Sequence, residues 1–355
     1  MVYETLKTLV EVPGVSGFEE EIMNKIKDIV KVRTLADKWF FDNIGNFYCI
    51  REGSDKSEPV LLTAHVDEVG GAVKYIDEDG MIYFTPQGGV EAKIFPGQWV
   101  KIITKDKKKI LGAVGTIPPH LKKGKNSEKE PKISELWIDT GASSKEEVEK
   151  IGIKKFNQII IDRGIEKLDS PNRIIGRCFD NRIGCTVLIH ILQTLVENNW
   201  KDSTIIGAFT IQEEIGLKGA TVAGRIAATK HKTKTAIVID TTSIGDFPGI
   251  KKQDAQASLG KGPVVRVADT RMVATPWLRN LIIETAEKHK VPYQVGIMGG
   301  TTDAMAIQLV HEGYAVCSIC PPVRYSHSAA QVADLTDIEN TIKLAYLSVK
   351  ELTSQ

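Results

Sequence analysis

Short, unbroken apolar runs alternate along this chain with longer stretches whose apolar positions recur every three or four residues. The runs Pro59–His65, Thr204–Thr210, Thr235–Asp240 and Ala315–Cys320 are too short for helices and too uniformly apolar for one-sided strands. They predict strands covered on both faces. Asp42–Ile50 reads as a further strand. Helical periodicity follows Ser16, which stands three residues before Glu19 in capping-box spacing, and returns over Arg182–Leu195, Thr275–His289 and Asp334–Leu352. Pro276 falls in the first turn of the third of these, where a missing amide does no harm. The opening stretch MVYETLKTLVEVPG reads as a short amphipathic helix. Strands alternating with helices predict an α/β fold with a mixed, mostly parallel sheet covered by helices.

The pattern changes between residues 69 and 168. Gly70, Gly71, Gly80, Gly88, Gly89, Gly97, Gly112 and Gly115 punctuate short segments of alternating polarity, the signature of a small β-rich unit. One helix, over 143–152, is expected within it, capped by Ser143 or Ser144. The charged stretch 122–132 reads as a solvated loop. The expected organisation is a main domain from 1–68 and 169–355, with 69–168 inserted as a β-rich domain. No fixed-period repeat is visible.

Hydrophobic content of 42% with 26% charge is that of a water-soluble globular chain. No apolar stretch approaches the roughly 18 residues of a membrane span, and the N-terminus lacks a signal-peptide pattern, so the expectation is a cytoplasmic protein. A net charge of +1 offers nothing to a polyanion, so neither nucleic acid nor an anionic membrane is expected as a partner. The five cysteines, including the Cys317/Cys320 pair, sit in apolar runs and read as buried free thiols.

His65, Asp180, Glu214, Asp240 and His327 are spread widely, each near the end of an apolar run. The carboxyl ends of strands are where open parallel sheets place their sites. Two imidazoles and three carboxylates suit a pair of zinc-like or cobalt-like ions, with one carboxylate bridging. Asp67 stands two residues after His65, so on extended backbone both side chains point the same way. Asp67 can then hold the imidazole's orientation. Glu213, beside Glu214, is the candidate general base. A lone H-x-D or E-E pair is common without function. The other histidines, His120, His190, His231, His289 and His311, read as surface or packing residues.

These words, together with S-G-F-E-E (16–20), D-N-I-G-N (42–46), W-I-D-T-G-A (137–142), G-G-T-T-D-A (299–304) and R-Y-S-H-S (324–328), resemble the tetrahedral (TET) or deblocking aminopeptidases, relatives of glutamyl, leucyl and lysyl aminopeptidases. The resemblance runs nearly end to end. It implies a phosphorylase/hydrolase-like peptidase domain, with the β-rich insert serving dimerisation. It implies two divalent metal ions per subunit, zinc or cobalt, one held by His65, Asp180 and Asp240 and the other by Asp180, Glu214 and His327. N-terminal residues of short peptides would be released by attack of a metal-bridging hydroxide, with Glu213 as base and Asp67 orienting His65. Gly299, Gly300, Thr301 and Asp303 match the family's substrate-pocket loop. Relatives imply a homododecamer built from dimers, and a cis bond after the bridging aspartate, here Asp180–Asn181. The second residue of that pair is commonly an aspartate in the family, and here it is an amide. The alternatives are another dinuclear exopeptidase or deacylase of the same fold, a glycoside hydrolase, and a non-catalytic assembly protein.

Overall fold

The four covered apolar runs lie side by side as the parallel centre of an eight-stranded sheet, in the computed structural model that describes residues 1–54, 57–121 and 130–354. In spatial order the sheet runs Lys38–Phe41, Phe47–Arg51, Ile205–Thr210, Val60–His65, Thr235–Ile239, Ala315–Cys320, Val264–Ala268 and Gln294–Ile297. Ile205–Thr210, Val60–His65, Thr235–Ile239 and Ala315–Cys320 are mutually parallel; Phe47–Arg51 runs antiparallel to them, and the edge strand Lys38–Phe41 is antiparallel to Phe47–Arg51 in turn. The central strands are buried almost throughout because helices cover both faces. Phe179–Glu197 packs on one face with Val2–Val10 and Leu335–Thr353 laid over it, while Lys218–His231 and Asp303–Gln308 pack together against the other.

Residues 42–46 form a turn, not the start of a strand. Asp42 Oδ1 accepts the amides of Ile44, Gly45 and Asn46, and the strand begins at Phe47. The capping box at Ser16 is also replaced. The helix Glu20–Val32 starts without a side-chain cap, and the Ser16 hydroxyl donates to Asp67 instead. Burial of a carboxylate close by competes successfully with a helix end that water can reach. Ser144 does cap Lys145–Lys150, and Pro276 opens Pro276–Lys288 as read.

The insert is a closed antiparallel barrel. Its strands follow the order Gly70–Ile76, Ile82–Gln87, Trp137–Asp139, Lys109–Gly115, Trp99–Ile103 and Gln158–Ile161 around the ring. Closure removes exposed sheet edges. Phe84, Phe95, Val100, Ile138 and Ile159 fill a core separate from that of the main sheet. The following strand, Ile165–Lys167, pairs with Arg173–Gly176 outside the barrel. Of the charged stretch 122–132, residues 122–129 lie outside the described residues.

One buried ionic cluster ties the parts together. Glu68, just before the barrel, faces the guanidinium groups of Arg177 and Arg182. Arg182 is fully buried and also donates to the carbonyls of Leu9, Val12 and Val66, and Arg177 to those of Val10 and Arg163. The N-terminal segment, the strand ending at His65 and the barrel junction therefore share one set of hydrogen bonds. All five cysteines are buried and unpaired. Among the described residues no helix is long and apolar enough to cross a membrane.

Candidate metal centre

His65 ends a central strand and is 2% exposed. Its Nδ1 faces Asp67, whose backbone oxygen lies at 3.2 Å and Oδ1 at 3.4 Å. A carbonyl oxygen can only accept, so Nδ1 carries a proton and Nε2 is turned inward toward the carboxylates. Around Nε2 stand Asp180 Oδ1 and Asp240 Oδ1, both at 3.4 Å, and Glu213 Oε2 at 3.9 Å.

Asp180 presents its other oxygen elsewhere. Oδ2 lies 3.3 Å from His327 Nε2, and Glu214 Oε1 lies 3.2 Å from the same nitrogen. Its two oxygens thus face the two imidazoles, as a bridging carboxylate must. Asp180 is held by donation of its own amide to Gln331 and by the Ser326 hydroxyl on Oδ2. The Asp180–Asn181 peptide bond is cis.

His327 Nδ1 sits 2.8 Å from the carbonyl of Gly89, a residue of the insert. That contact keeps a proton on Nδ1, so Nε2 faces Asp180 and Glu214 and is the atom a cation would meet. The approach is close: a Cβ on Gly89 would lie 3.4 Å from the His327 ring, and one on Gly88 would lie 3.2 Å from Glu214 Cβ. Sequence reading took this glycine pair as turn punctuation. It missed Gly89, Ser16 and Ser326, because a backbone carbonyl and two common hydroxyls leave no compositional trace.

The charge balance of the cluster is unusual. Burial pushes the carboxyls of Glu213, Glu214 and Asp240 up, Glu213 well above its ordinary value. Burial would raise Asp180 too, but His327 and His65 hold it well below its ordinary value. Burial opposes charge on both imidazoles. Glu213, Asp240 and Asp180 nonetheless hold His65 well above its ordinary value, and Asp180 with Glu214 push His327 up to about 12. Carboxyls driven toward their neutral form, and imidazoles toward their charged form, describe a site short of positive charge. Glu214 Oε1 is buried with no aligned hydrogen bond. One ligand atom each from His65, Glu213 and Asp240 lies within 4.8 Å of the others, as do atoms from His65, Asp180 and Glu214. The nitrogen and oxygen donor set fits divalent cations of the zinc or cobalt kind.

The cluster opens onto a cavity of about 1420 Å³. Gly299, Gly300 and Thr301 line its wall, whereas Asp303 is 1% exposed and lies behind them, accepting from Thr210. Burial pushes the Asp303 carboxyl up to about 7. His311, which the sequence places near a helix end with no ligand role, is exposed and borders the same cavity.

Comparison with known proteins finds relatives along nearly the whole chain. Residues 45–344 match the family described as M42 glutamyl aminopeptidase. A lysyl aminopeptidase of Pyrococcus furiosus is 33% identical, over 99% of this chain and 97% of its own length. Among solved structures, a TET aminopeptidase from the archaeon Thaumarchaeota archaeon SCGC AB-539-E09 superposes with a TM-score of 0.93 at 31% identity, covering 99% of this chain and 98% of its own. The TET1 peptidase of Pyrococcus horikoshii, described as able to assemble into a tetrahedron or a large octahedral shell, gives 0.85 at 30% identity, with 98% of each chain covered.

Proposed function

The chain belongs to the M42 glutamyl aminopeptidase family, and from that premise we propose that two divalent ions, zinc or cobalt, are held between its two imidazoles. It is an aminopeptidase, a hydrolase of peptide bonds. In this reading His65, Asp180 and Asp240 hold one ion and Asp180, Glu214 and His327 the other. The single observation that carries it is Asp180, with one oxygen toward each imidazole at 3.4 and 3.3 Å. Bound there, such ions would supply Lewis acidity toward the scissile carbonyl and lower the pKa of the attacking water.

The protein's own part follows from the geometry. Glu213 Oε2 stands 3.9 Å from His65 Nε2 at the edge of the cluster. Burial makes it a stronger base than an exposed glutamate, so it takes a proton from the attacking water and returns it to the leaving amine. Asp67 keeps the His65 ring turned, and the Gly89 carbonyl does the same for His327. Gly299, Gly300 and Thr301 would lie along the bound peptide, with Asp303 supporting them from behind. We assign 1–68 and 169–355 to the catalytic unit and 69–168 to dimerisation. Twelve such subunits would enclose the active sites, confining substrate to short peptides, and the enzyme would act in the cytoplasm.

The test is a panel of aminoacyl chromogenic substrates assayed on metal-stripped protein, then after zinc or cobalt is restored. Turnover should disappear with chelation, return with metal, and be absent on N-acetylated substrates. Glu213→Gln should lower kcat by about 100-fold or more, the usual size of a lost general base. Full turnover after chelation, or by Glu213→Gln, would refute the reading.

A further inference from the structure

The turn that carries Glu213 and Glu214 accepts backbone hydrogen bonds on the carbonyls of Ile211, Gln212 and Glu213, but the amides of 211–214 donate to side chains. It follows the strand Ile205–Thr210 and precedes the helix Lys218–His231, with Gln212 at φ +55, in the left-handed region. Buried amides in such a segment must find acceptors elsewhere. Four consecutive amides do so. Ile211 N–H donates to Asn46 Oδ1 at 3.0 Å and Gln212 N–H to Glu19 Oε1 at 3.1 Å. Glu213 N–H and Glu214 N–H donate to the two oxygens of Asp67, at 3.0 and 3.1 Å.

Three separate elements thus hold the turn. Asp67 follows the central strand. Asn46 closes the Asp42 turn on the neighbouring strand, and its Nδ2 donates to the carbonyl of Gly219 at 3.0 Å, joining both ends of the turn. Glu19 stands at the start of the helix Glu20–Val32 and also accepts the amide of Gly17 at 2.8 Å. Asn46 is fully buried and Glu19 is 6% exposed.

We propose that Glu19 and Asn46 are positioning residues for the reaction: through the Gln212 amide and through Ile211 and Gly219, they set where Glu213 and Glu214 point. The proposal rests on the reading of Glu213 as base. It explains why S-G-F-E-E and D-N-I-G-N, which hold no ligand, sit beside the site. Each motif supplies one side chain that grips this turn, Glu19 from the first and Asn46 from the second. A left-handed, non-glycine Gln212 would relax if its amide lost its partner, and the two carboxylates would move with it.

Glu19→Ala and Glu19→Gln form the decisive pair, since glutamine keeps a carbonyl acceptor at the same reach. Backbone amide exchange, measured on metal-free protein, should accelerate over 211–214 in Glu19→Ala and stay near wild type in Glu19→Gln. In metal-saturated enzyme Glu19→Ala should lose roughly tenfold to a hundredfold in kcat, the size expected for a displaced catalytic group, with KM changed less than about twofold. Glu19→Gln should recover most of that loss. Asn46→Ala should give the same exchange signature at Ile211. The proposal falls if Glu19→Ala keeps wild-type exchange and kcat, if excess metal alone restores it, or if Glu19→Gln is as impaired as Glu19→Ala. Glu213→Gln in the same assay separates the two claims. If it is inert while Glu19→Ala is fully active, positioning alone fails. If it is active, the role of Glu213 fails and takes the positioning claim with it.

Discussion

Asn181 donates through Nδ2 to the Ile239 carbonyl at 3.0 Å and accepts the Gly184 amide on Oδ1 at 2.9 Å, using both halves of its amide. An aspartate there would have no donor for Ile239 unless it were protonated. Asn181→Asp should therefore destabilise metal-free protein by about 1–3 kcal/mol, the cost of a buried polar group losing its partner. An unchanged urea midpoint would show that the amide is dispensable. The sequence marks this residue as a departure from the family pattern beside a ligand. Only the structure shows it bonded to backbone, turned away from ligand duty. His190 is a second case. It was read as a packed helix residue, and it is 7% exposed with Nε2 3.2 Å from Thr5 Oγ1. Burial, then Arg33, pushes its pKa down to about 4. A depressed folded-state value means the neutral form is preferred. Its contribution is complete above the unfolded value near 6.5 and is lost as pH falls toward 4. His190→Gln should flatten the fall in stability between pH 6.5 and 4 by about 1–2 kcal/mol, allowing for solvent screening. The check is a series of denaturation midpoints across that range, and an identical slope in both proteins would contradict it.

Among elements, the turn 211–219 does most to place the chemistry. Gly219 N–H donates to the Ile211 carbonyl at 3.0 Å, closing the turn on itself. A Cβ at Gly219 would meet Ile211 O at 2.4 Å and Asn46 Oδ1 at 2.5 Å. Gly219→Ala should therefore break the closure, and we expect kcat to fall at least as far as in Glu19→Ala, about tenfold or more. Wild-type turnover in Gly219→Ala would show that the turn tolerates opening. The central strands were legible because burial on both faces leaves uninterrupted apolar runs, and their carboxyl ends pointed to His65, Asp240 and the glutamate pair. The edge strands were not. Lys38–Phe41 is largely exposed, and Gln294–Ile297 is mixed, so neither carries a burial pattern. The 42–46 turn was hidden for another reason: Asp42 organises it through three backbone amides, which alternation of polarity does not register.

At the scale of the molecule, the insert reaches the candidate site as well as forming the barrel. Its Gly89 carbonyl keeps a proton on His327 Nδ1, a role that sequence could not reveal because any residue has a carbonyl. That the segment 69–168 was β-rich could be read from its glycine punctuation, but closure into a ring requires the register of six strands. Glu68 stands where the insert departs and neutralises two buried guanidinium groups. Glu68→Ala should cost about 3–5 kcal/mol, because Arg177 and Arg182 would stay buried and uncompensated. Chemical denaturation checks this, and a loss under 1 kcal/mol would contradict it. Assembly is tested by light scattering, with twelve copies of the 39.1 kDa chain expected and a lone subunit refuting the enclosure. The most direct test of the whole account is anomalous diffraction from crystals loaded with zinc, collected at the metal's absorption edge. Two peaks about 3.5–4 Å apart are predicted, with Asp180 between them, His65 and Asp240 on one and Glu214 and His327 on the other. Loaded crystals with no peak among these five side chains would contradict it.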